Sequence, residues 1–148
     1  MNINHHTHPD NLVRYSFLWS EVRLLIAAVA LFIGGTPPAL KFLPGLSGIV
    51  GPLLTLSWII SGVAAGYLLY RWNKNNRMLF GKNERKDMIY FLVMVVSGFN
   101  LGLAGIMGKN IGMTISSNKF IFILVGIIYL FAASYLWRRY KEHGQKIF

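Results

Sequence analysis

Polar side chains that could do chemistry are scarce in this chain of 148 residues, and Asn100 is the best placed of them. It lies in the middle of an apolar run from about Met88 to Met107. An amide inside a membrane helix needs a hydrogen-bond partner, and such residues either line a substrate pathway or bridge two helices. Ser61 is a candidate partner or second substrate contact, and Ser57 and Ser134 are further candidate partners.

Glu21 is the acidic residue that lies in or next to an apolar run, and it has two interpretations. In the first, it contacts a proton or cation inside the membrane, which makes it a candidate substrate-binding residue with Asn100 and Ser61. In the second, it lies at the membrane surface. There it would pair with Arg14 on the same helical face, or with the basic segment 71–87.

Metal sites and enzyme motifs find little support in the sequence. His5, His6 and His8 lie close together, but the segment around them is polar and adds only Asp10 as a ligand, so we interpret it as a solvated tail. The chain has no cysteine, no Gly-x-Ser-x-Gly motif and no phosphate-binding glycine loop. We therefore predict no catalytic residue, no metal site, no enzyme activity and no cofactor.

The elements that must position these residues are four apolar runs, at about 17–35, 49–70, 88–107 and 120–137. Hydrophobic residues make up 54% of the chain and charged residues 14%, whereas a soluble domain has about 25% charged residues. Each run is about the length that crosses a bilayer, and lipid forces a spanning segment to be helical. The sequence thus predicts one all-α domain over residues 1–148, an integral membrane four-helix bundle.

The first run is the least regular, because Glu21 and Arg23 lie in its opening turns. Two starts fit the pattern. The span begins near Phe17, or the segment Arg14–Arg23 forms a helix at the membrane surface and the span begins near Leu24 and runs past Thr36 toward Phe42.

The net charge of +10 is distributed unevenly. Of the 15 basic residues, all but Lys41, Lys109 and Lys119 lie in the N-terminal region, the loop 71–87 or the tail 138–148. The positive-inside rule places those three segments, and hence both termini, in the cytoplasm of a multi-pass protein of the inner or plasma membrane. The basic residues expected to orient the chain and contact anionic lipid headgroups are Arg71, Lys74, Arg77, Arg85, Lys86, Arg138 and Arg139. Because the basic residues lie next to the apolar runs, we predict that they bind the anionic lipids of the bilayer and not nucleic acid.

The second and fourth runs resemble each other at an offset of 68 residues. The matched pairs include Ile59 with Ile127, Ala64 with Ala132, Ala65 with Ala133, Tyr67 with Tyr135, Leu68 with Leu136, Arg71 with Arg139 and Phe80 with Phe148. Either the chain holds two tandem helical hairpins in parallel repeat, or two apolar helices match by chance. Transporters often place their substrate between such repeats.

Glycines at a spacing of three or four residues mark two helix faces. They are Gly62 and Gly66 in the second run, and Gly98, Gly102 and Gly105 in the third. Glycine lets helix backbones approach closely, so we predict helix packing there, either within the chain or in a homo-oligomer.

Two short stretches resemble the GtrA-like family of small four-helix membrane proteins. They are Asn76–Gly81, with the sequence Asn-Arg-Met-Leu-Phe-Gly, and Lys146–Phe148; Asn100 also has a loose counterpart in that family. Met78 stands where the family has an aromatic residue. The resemblance implies a function in moving polyprenyl-linked sugars across the membrane.

Three functions follow from these patterns. The first is a flippase-like transporter of a lipid-linked or amphipathic substrate, with Asn100 and the glycine faces between the hairpins and anionic headgroups on the basic loops. The second is a non-catalytic accessory subunit that binds a larger membrane-protein complex. The third is an immunity or exclusion protein that blocks a foreign pore-former.

Overall fold

The computed structural model describes residues 8–33, 47–108, 111–115 and 118–148, and the described residues form helices and turns without a strand. The helices are α1 (Pro9–Phe32), α2 (Ser47–Lys74), α3 (Arg85–Met107), the short α4 (Ile111–Ile115) and α5 (Lys119–Glu142). The four long helices are apolar and long enough to cross a membrane. The prediction of an all-α protein with four long apolar helices is confirmed.

Helix α1 differs from both predicted starts, because it is continuous from Pro9. Proline at the first helical position needs no amide partner, and the side chain of His8 accepts a hydrogen bond from the amide of Asp10. No break separates a surface segment from a spanning segment near Leu24. The predicted continuation toward Phe42 lies outside the described residues.

The long helices pack as a four-membered ring. Helix α2 has its most extensive contact with α3, and α1 has its most extensive contact with α5. The pairs α1–α2 and α3–α5 close the ring, and α1 also touches α3 across its centre. Residues of α1 and α3 that face each other therefore lie at the middle of the bundle.

We call the end of the bundle that holds residues 8–17, the α2–α3 turn and residues 138–148 the basic end. The predicted basic loop 71–87 is only partly a loop, since α2 runs to Lys74 and α3 begins at Arg85. Leu79 and Phe80 in the turn are almost fully buried. The amide of Phe80 donates a hydrogen bond of 2.7 Å to the carbonyl oxygen of Ile147, which joins the turn to the C-terminal segment. Apolar side chains thus fold back over this end of the core.

The segments that follow α2 and α5 have the same backbone structure at the offset of 68 residues. The Arg77 amide donates to the Trp72 carbonyl oxygen at 3.0 Å, and the equivalent Gln145 amide donates to the Tyr140 carbonyl oxygen at 2.9 Å. Arg77 and Gln145 also share a left-handed conformation, with φ of 59° and 62°. Because non-glycine residues rarely adopt positive φ, this agreement is hard to attribute to chance.

Helices α1 and α3 correspond at an offset of 74 residues. Phe17 lies 6.5 Å from Phe80 at an interplanar angle of 81°, and its equivalent Phe91 lies 6.4 Å from Phe148 at 84°. Two ion pairs are also equivalent, since Arg139 corresponds to Arg71 and Glu84 corresponds to Asp10. The nitrogen–oxygen distance is 3.7 Å from Arg71 to Asp10 and 3.6 Å from Arg139 to Glu84. The described residues therefore form two similar halves, α1–α2 and α3–α5, around a pseudo-twofold axis.

Candidate functional site

Three adjacent polar residues of α1 are buried inside the bundle. Ser20, Glu21 and Arg23 are 0%, 4% and 6% exposed. Glu21 lies twelve residues after Pro9, which is about 18 Å along the helix at 1.5 Å per residue. A continuous helix from Pro9 therefore carries both charged residues to its middle, where Glu21 is buried within the bundle and, among the described residues, forms no ion pair with Arg14 or with segment 71–87.

Arg23 contacts α3 where the two halves meet. One terminal nitrogen, Nη1, donates to the hydroxyl oxygen of Ser97 at 2.9 Å, and the other, Nη2, donates to the carbonyl oxygen of Met94 at 2.8 Å. Nε of Arg23 has no partner among the described residues. Arg23 and Ser97 occupy equivalent positions of the two halves, so their contact lies next to the pseudo-twofold axis.

Gly98 makes room for the guanidinium group. A Cβ atom at Gly98 would lie 3.4 Å from Nη2 of Arg23, 3.1 Å from the carbonyl oxygen of Ser61 and 2.6 Å from Cβ of Ala65. The absence of a side chain thus brings α1, α2 and α3 together at one point. Any larger residue would push against the backbone of α2.

Glu21 lies on another face of α1. Residues two apart on a helix do not face each other, and among the described residues no ion pair joins Glu21 to Arg23. Helical spacing places Glu21 on the stripe of Phe17 and Ala28, which meets α5: Phe17 stacks on Tyr140, and the carbonyl oxygen of Ala28 lies near Gly126. Within the described ranges, Oε1 of Glu21 accepts no hydrogen bond, as is also true of the Ser20 hydroxyl.

Ser61 lies beside this cluster, as its contact with Gly98 requires. Its hydroxyl accepts a hydrogen bond of 3.0 Å from Nε1 of Trp19 and donates one of 2.7 Å to the carbonyl oxygen of Ser57. The structure therefore brings Ser61 near Arg23, which from the sequence alone was a basic residue in the opening turns of the first apolar run and not a candidate for the site. By hydropathy, an arginine marks the boundary of an apolar run. The buried position of Arg23 follows only from the start of α1 at Pro9, which places this residue near the middle of the helix.

Asn100 is half-buried on α3, and its carbonyl oxygen accepts a hydrogen bond of 3.2 Å from the backbone amide of Gly112 in α4. This bond ties the end of α3 to the short helix that follows it. A structural function explains the contact without a ligand.

The glycine faces form the α2–α3 contact. A Cβ atom at Gly102 would lie 2.6 Å from Cα of Gly62, and one at Gly105 would lie 3.1 Å from the carbonyl oxygen of Thr55. Gly66 differs, since its nearest neighbour is the Phe99 ring at 3.7 Å, an ordinary contact. Gly62, Gly102 and Gly105 therefore lie where a side chain would push α2 and α3 apart.

A second polar group occupies the basic end. Asp87, fully buried, accepts hydrogen bonds from the Tyr135 hydroxyl at 2.8 Å and from Nε and Nη2 of Arg139 at 2.9 and 2.8 Å. The Arg139 guanidinium also lies over the Phe80 ring, 5.6 Å from its centroid. Arg139, predicted to contact lipid headgroups, is only 16% exposed and is bound inside the protein. The side chains of Lys74, Arg77, Arg85, Lys86 and Arg138 are exposed as expected.

In the described part of the chain, no three His, Asp or Glu side chains converge as metal ligands, and His5 and His6 lie outside that part. No protein-family model, characterised protein or solved structure matches the chain. The resemblance to the GtrA-like family accordingly stays a prediction. The features that remain for function are the basic end and the polar residues buried near the middle of the bundle, which are Ser20, Glu21, Arg23, Ser61 and Ser97.

Proposed function

We propose that the protein is a small flippase-like transporter, which moves a lipid-linked or otherwise amphipathic substrate with an anionic headgroup across its membrane. The observation that supports this most is Arg23, a permanently charged side chain buried at mid-helix. Ionisable residues at such depth are costly, and they characteristically mark substrate pathways.

Structural need alone does not account for Arg23. A buried ion or ion pair is often replaced by apolar residues of similar volume without loss of stability. The guanidinium group makes two hydrogen bonds, but its Nε has no partner among the described residues. Unsatisfied buried polar atoms are expected where a ligand completes the set.

The position of Arg23 suits a headgroup pathway. It lies where the first half meets the second half, and transporters built from repeats commonly hold substrate at that interface. An anionic group moving along α1 and α3 would exchange the hydroxyl of Ser97 for its own oxygens at the guanidinium fork.

The substrate tail would remain in lipid. Four helices enclose too little volume for a lipid chain, and their outer faces are apolar, as at Val63, Val96 and Ile106. Only the polar headgroup needs a path through the protein, and the adjoining helix surfaces supply a face for the tail. The buried charge of Arg23 would thus contact the headgroup, and the apolar outer surface of the helices would contact the tail.

Fluorescent lipid in reconstituted vesicles tests the proposal. The probe is an anionic phosphodiester lipid with a nitrobenzoxadiazole label on its acyl chain, and dithionite quenches only label in the outer leaflet. Vesicles without protein should keep about half of the fluorescence, because roughly half of a bilayer's lipid faces inward. Vesicles with the protein should lose nearly all of it.

Arg23→Gln should slow the loss at least tenfold, while Val63→Ala, on the lipid-facing surface, should leave the rate unchanged. Protein-containing vesicles that behave like empty vesicles would overturn the proposal for this lipid class. Equal rates for wild type and Arg23→Gln would remove Arg23 from the pathway.

A second candidate function is a non-catalytic subunit of a larger membrane complex, and one observation favours it. Both terminal nitrogens of Arg23 already donate to groups of the same chain, which is the arrangement of a static structural contact. Mild detergent extraction of the protein at native expression levels separates the two functions. A stoichiometric membrane-protein partner supports the subunit function, and an unaccompanied protein with flippase activity supports transport.

A further inference from the structure

The two halves of the protein differ most in charge at the basic end. In the second half, the buried carboxylate of Asp87 binds both the Arg139 guanidinium and the Tyr135 hydroxyl. The offset of 74 residues places Val13 at the position equivalent to Asp87. An isopropyl group thus stands where the other half has a carboxylate.

The two side chains that would bind this missing carboxylate are still present. Tyr67 and Arg71 are equivalent to Tyr135 and Arg139 at the offset of 68 residues. The Tyr67 hydroxyl donates instead to the carbonyl oxygen of Pro9 at 3.2 Å. Arg71 lies 3.7 Å from Asp10, whose side chain is 79% exposed, which is a weak surface contact.

A cavity of about 250 Å³ lies beside Val13, between α1, α2 and the C-terminal segment. Its lining includes three basic side chains, Arg14, Arg71 and Lys146, and one acidic side chain, Asp10. Methionines occupy the positions equivalent to two of the three: Met88 of α3 corresponds to Arg14, and Met78 in the α2–α3 turn corresponds to Lys146 in the C-terminal segment. The surroundings of Val13 therefore have no buried acid at the position equivalent to Asp87, and they hold Arg14 and Lys146 at positions whose equivalents are methionines.

We propose that this cavity, which we call the Val13 cavity, binds a phosphate group. The guanidinium groups of Arg14 and Arg71 present planar forks that match phosphate oxygens, and Lys146 adds a point charge. Beside Val13, the phosphate balances the charge of Arg71 as the Asp87 carboxylate balances that of Arg139 in the other half. Phosphate is the expected class because three basic residues suit a group that carries more than one negative charge.

The phosphate has two possible sources with the same chemistry, a lipid headgroup or the free ion in solution. The basic end lies at the end of the spanning helices, where headgroups and solution meet. The site does not depend on the proposed transport, because Arg23 belongs to a different part of the bundle. Arg23→Gln should leave binding in the Val13 cavity unchanged.

The test installs the missing carboxylate. Val13→Asp should fill the cavity with an internal anion, pairing Arg71 and Tyr67 as Asp87 pairs Arg139 and Tyr135. Val13→Asn is the matched control, with the same shape and no charge. Affinity is measured on the detergent-solubilised full chain with two probes, inorganic phosphate and the short-chain lipid dihexanoyl phosphatidic acid. Dihexanoyl phosphatidylcholine serves as the zwitterionic reference.

We expect the Kd of the wild type for at least one phosphate probe to rise tenfold or more in Val13→Asp and to change less than threefold in Val13→Asn. Binding of both phosphate probes assigns the site to free or lipid-borne phosphate alike, and binding of phosphatidic acid alone assigns it to headgroups. The double variant Arg14→Gln with Lys146→Gln changes only exposed side chains and should also raise the Kd at least tenfold. Absence of binding by both probes, or equal Kd values in wild type and Val13→Asp, would overturn the proposal.

Discussion

Asp87→Asn should destabilise the protein strongly, because it leaves the Arg139 charge without its main partner. Asp87 is fully buried and accepts three hydrogen bonds, two of them from Arg139. Breaking a buried ion pair on one side costs about 3–5 kcal/mol. Arg139 keeps a contact of 3.6 Å with Glu84 and some solvent exposure, so we expect about 3 kcal/mol, at the lower end of that range.

The assay is thermal unfolding in detergent, followed by intrinsic tryptophan fluorescence. A loss of 3 kcal/mol corresponds to a Tm lower by about 6–12 °C, at about 2–4 °C per kcal/mol for a chain of this size. The first half offers a matched control, since Asp10 forms the equivalent of the outer ion pair on an exposed surface. Asp10→Asn should change the Tm by less than about 2 °C, because exposed ion pairs contribute at most about 1 kcal/mol.

A double-mutant cycle refines the test. The pair Asp87→Leu with Arg139→Met removes both charges and should recover most of the stability that either single change loses. Strictly additive losses would show that the two side chains do not stabilise each other. A Tm of Asp87→Asn within 2 °C of the wild type would refute the assignment of Asp87 as the buried anchor of the second half.

Three further predictions concern α3 and the topology. Gly102→Ala places a Cβ atom 2.6 Å from the facing glycine backbone and should cost about 1–3 kcal/mol by overpacking, whereas Gly51→Ala, with nothing within 4 Å, should not lower the Tm. Asn100→Leu should lower the Tm modestly, by the loss of about 1 kcal/mol for its bond to α4, and leave the flippase rate of the folded protein unchanged, whereas lost activity at normal stability would restore Asn100 to the substrate path. An impermeant maleimide added to intact cells should label a single cysteine at Lys119 and should label one at Lys74 only after lysis, because position 74 is expected in the cytoplasm, and labelling of position 74 in intact cells would reverse the orientation.

The number, type and approximate bounds of the long helices could be predicted because lipid imposes a length and a hydropathy on every span. The register of α1 could not. Glu21 and Arg23 look like a boundary in sequence, since charges usually end a span, yet tertiary contacts to Ser97 and Met94 hold Arg23 inside. A local pattern contains no information about a partner 74 residues away.

The buried ion pair of the basic end was equally hidden, although a signal for it existed. Tyr135 and Arg139 are four residues apart on one face of α5, and Tyr67 and Arg71 repeat that spacing in α2. The repeat identified the two pairs as equivalent but not the acid that one of them binds. Asp87 has Val13 as its counterpart, so a search for identities between the halves passes over the position where they differ in buried charge.

The differences between the halves therefore carry more information than the matches. Matched features, such as the two aromatic T-shaped contacts and the two left-handed turns, build the same scaffold twice. The scaffold departs from symmetry in charge at several places, and two of them are buried contacts: Arg23 faces Ser97 beside the axis, and Val13 corresponds to Asp87 at the basic end. In the second half the charge of Arg139 is neutralised internally by its ion pair with the buried Asp87. In the first half the corresponding cations line an open cavity, and the bundle keeps a second cation at its centre. The ion pair of Asp87 with Arg139 leaves the cations beside Val13 without a buried counter-charge of their own, and the proposed carrier of anionic headgroups would use such cations to bind its substrate.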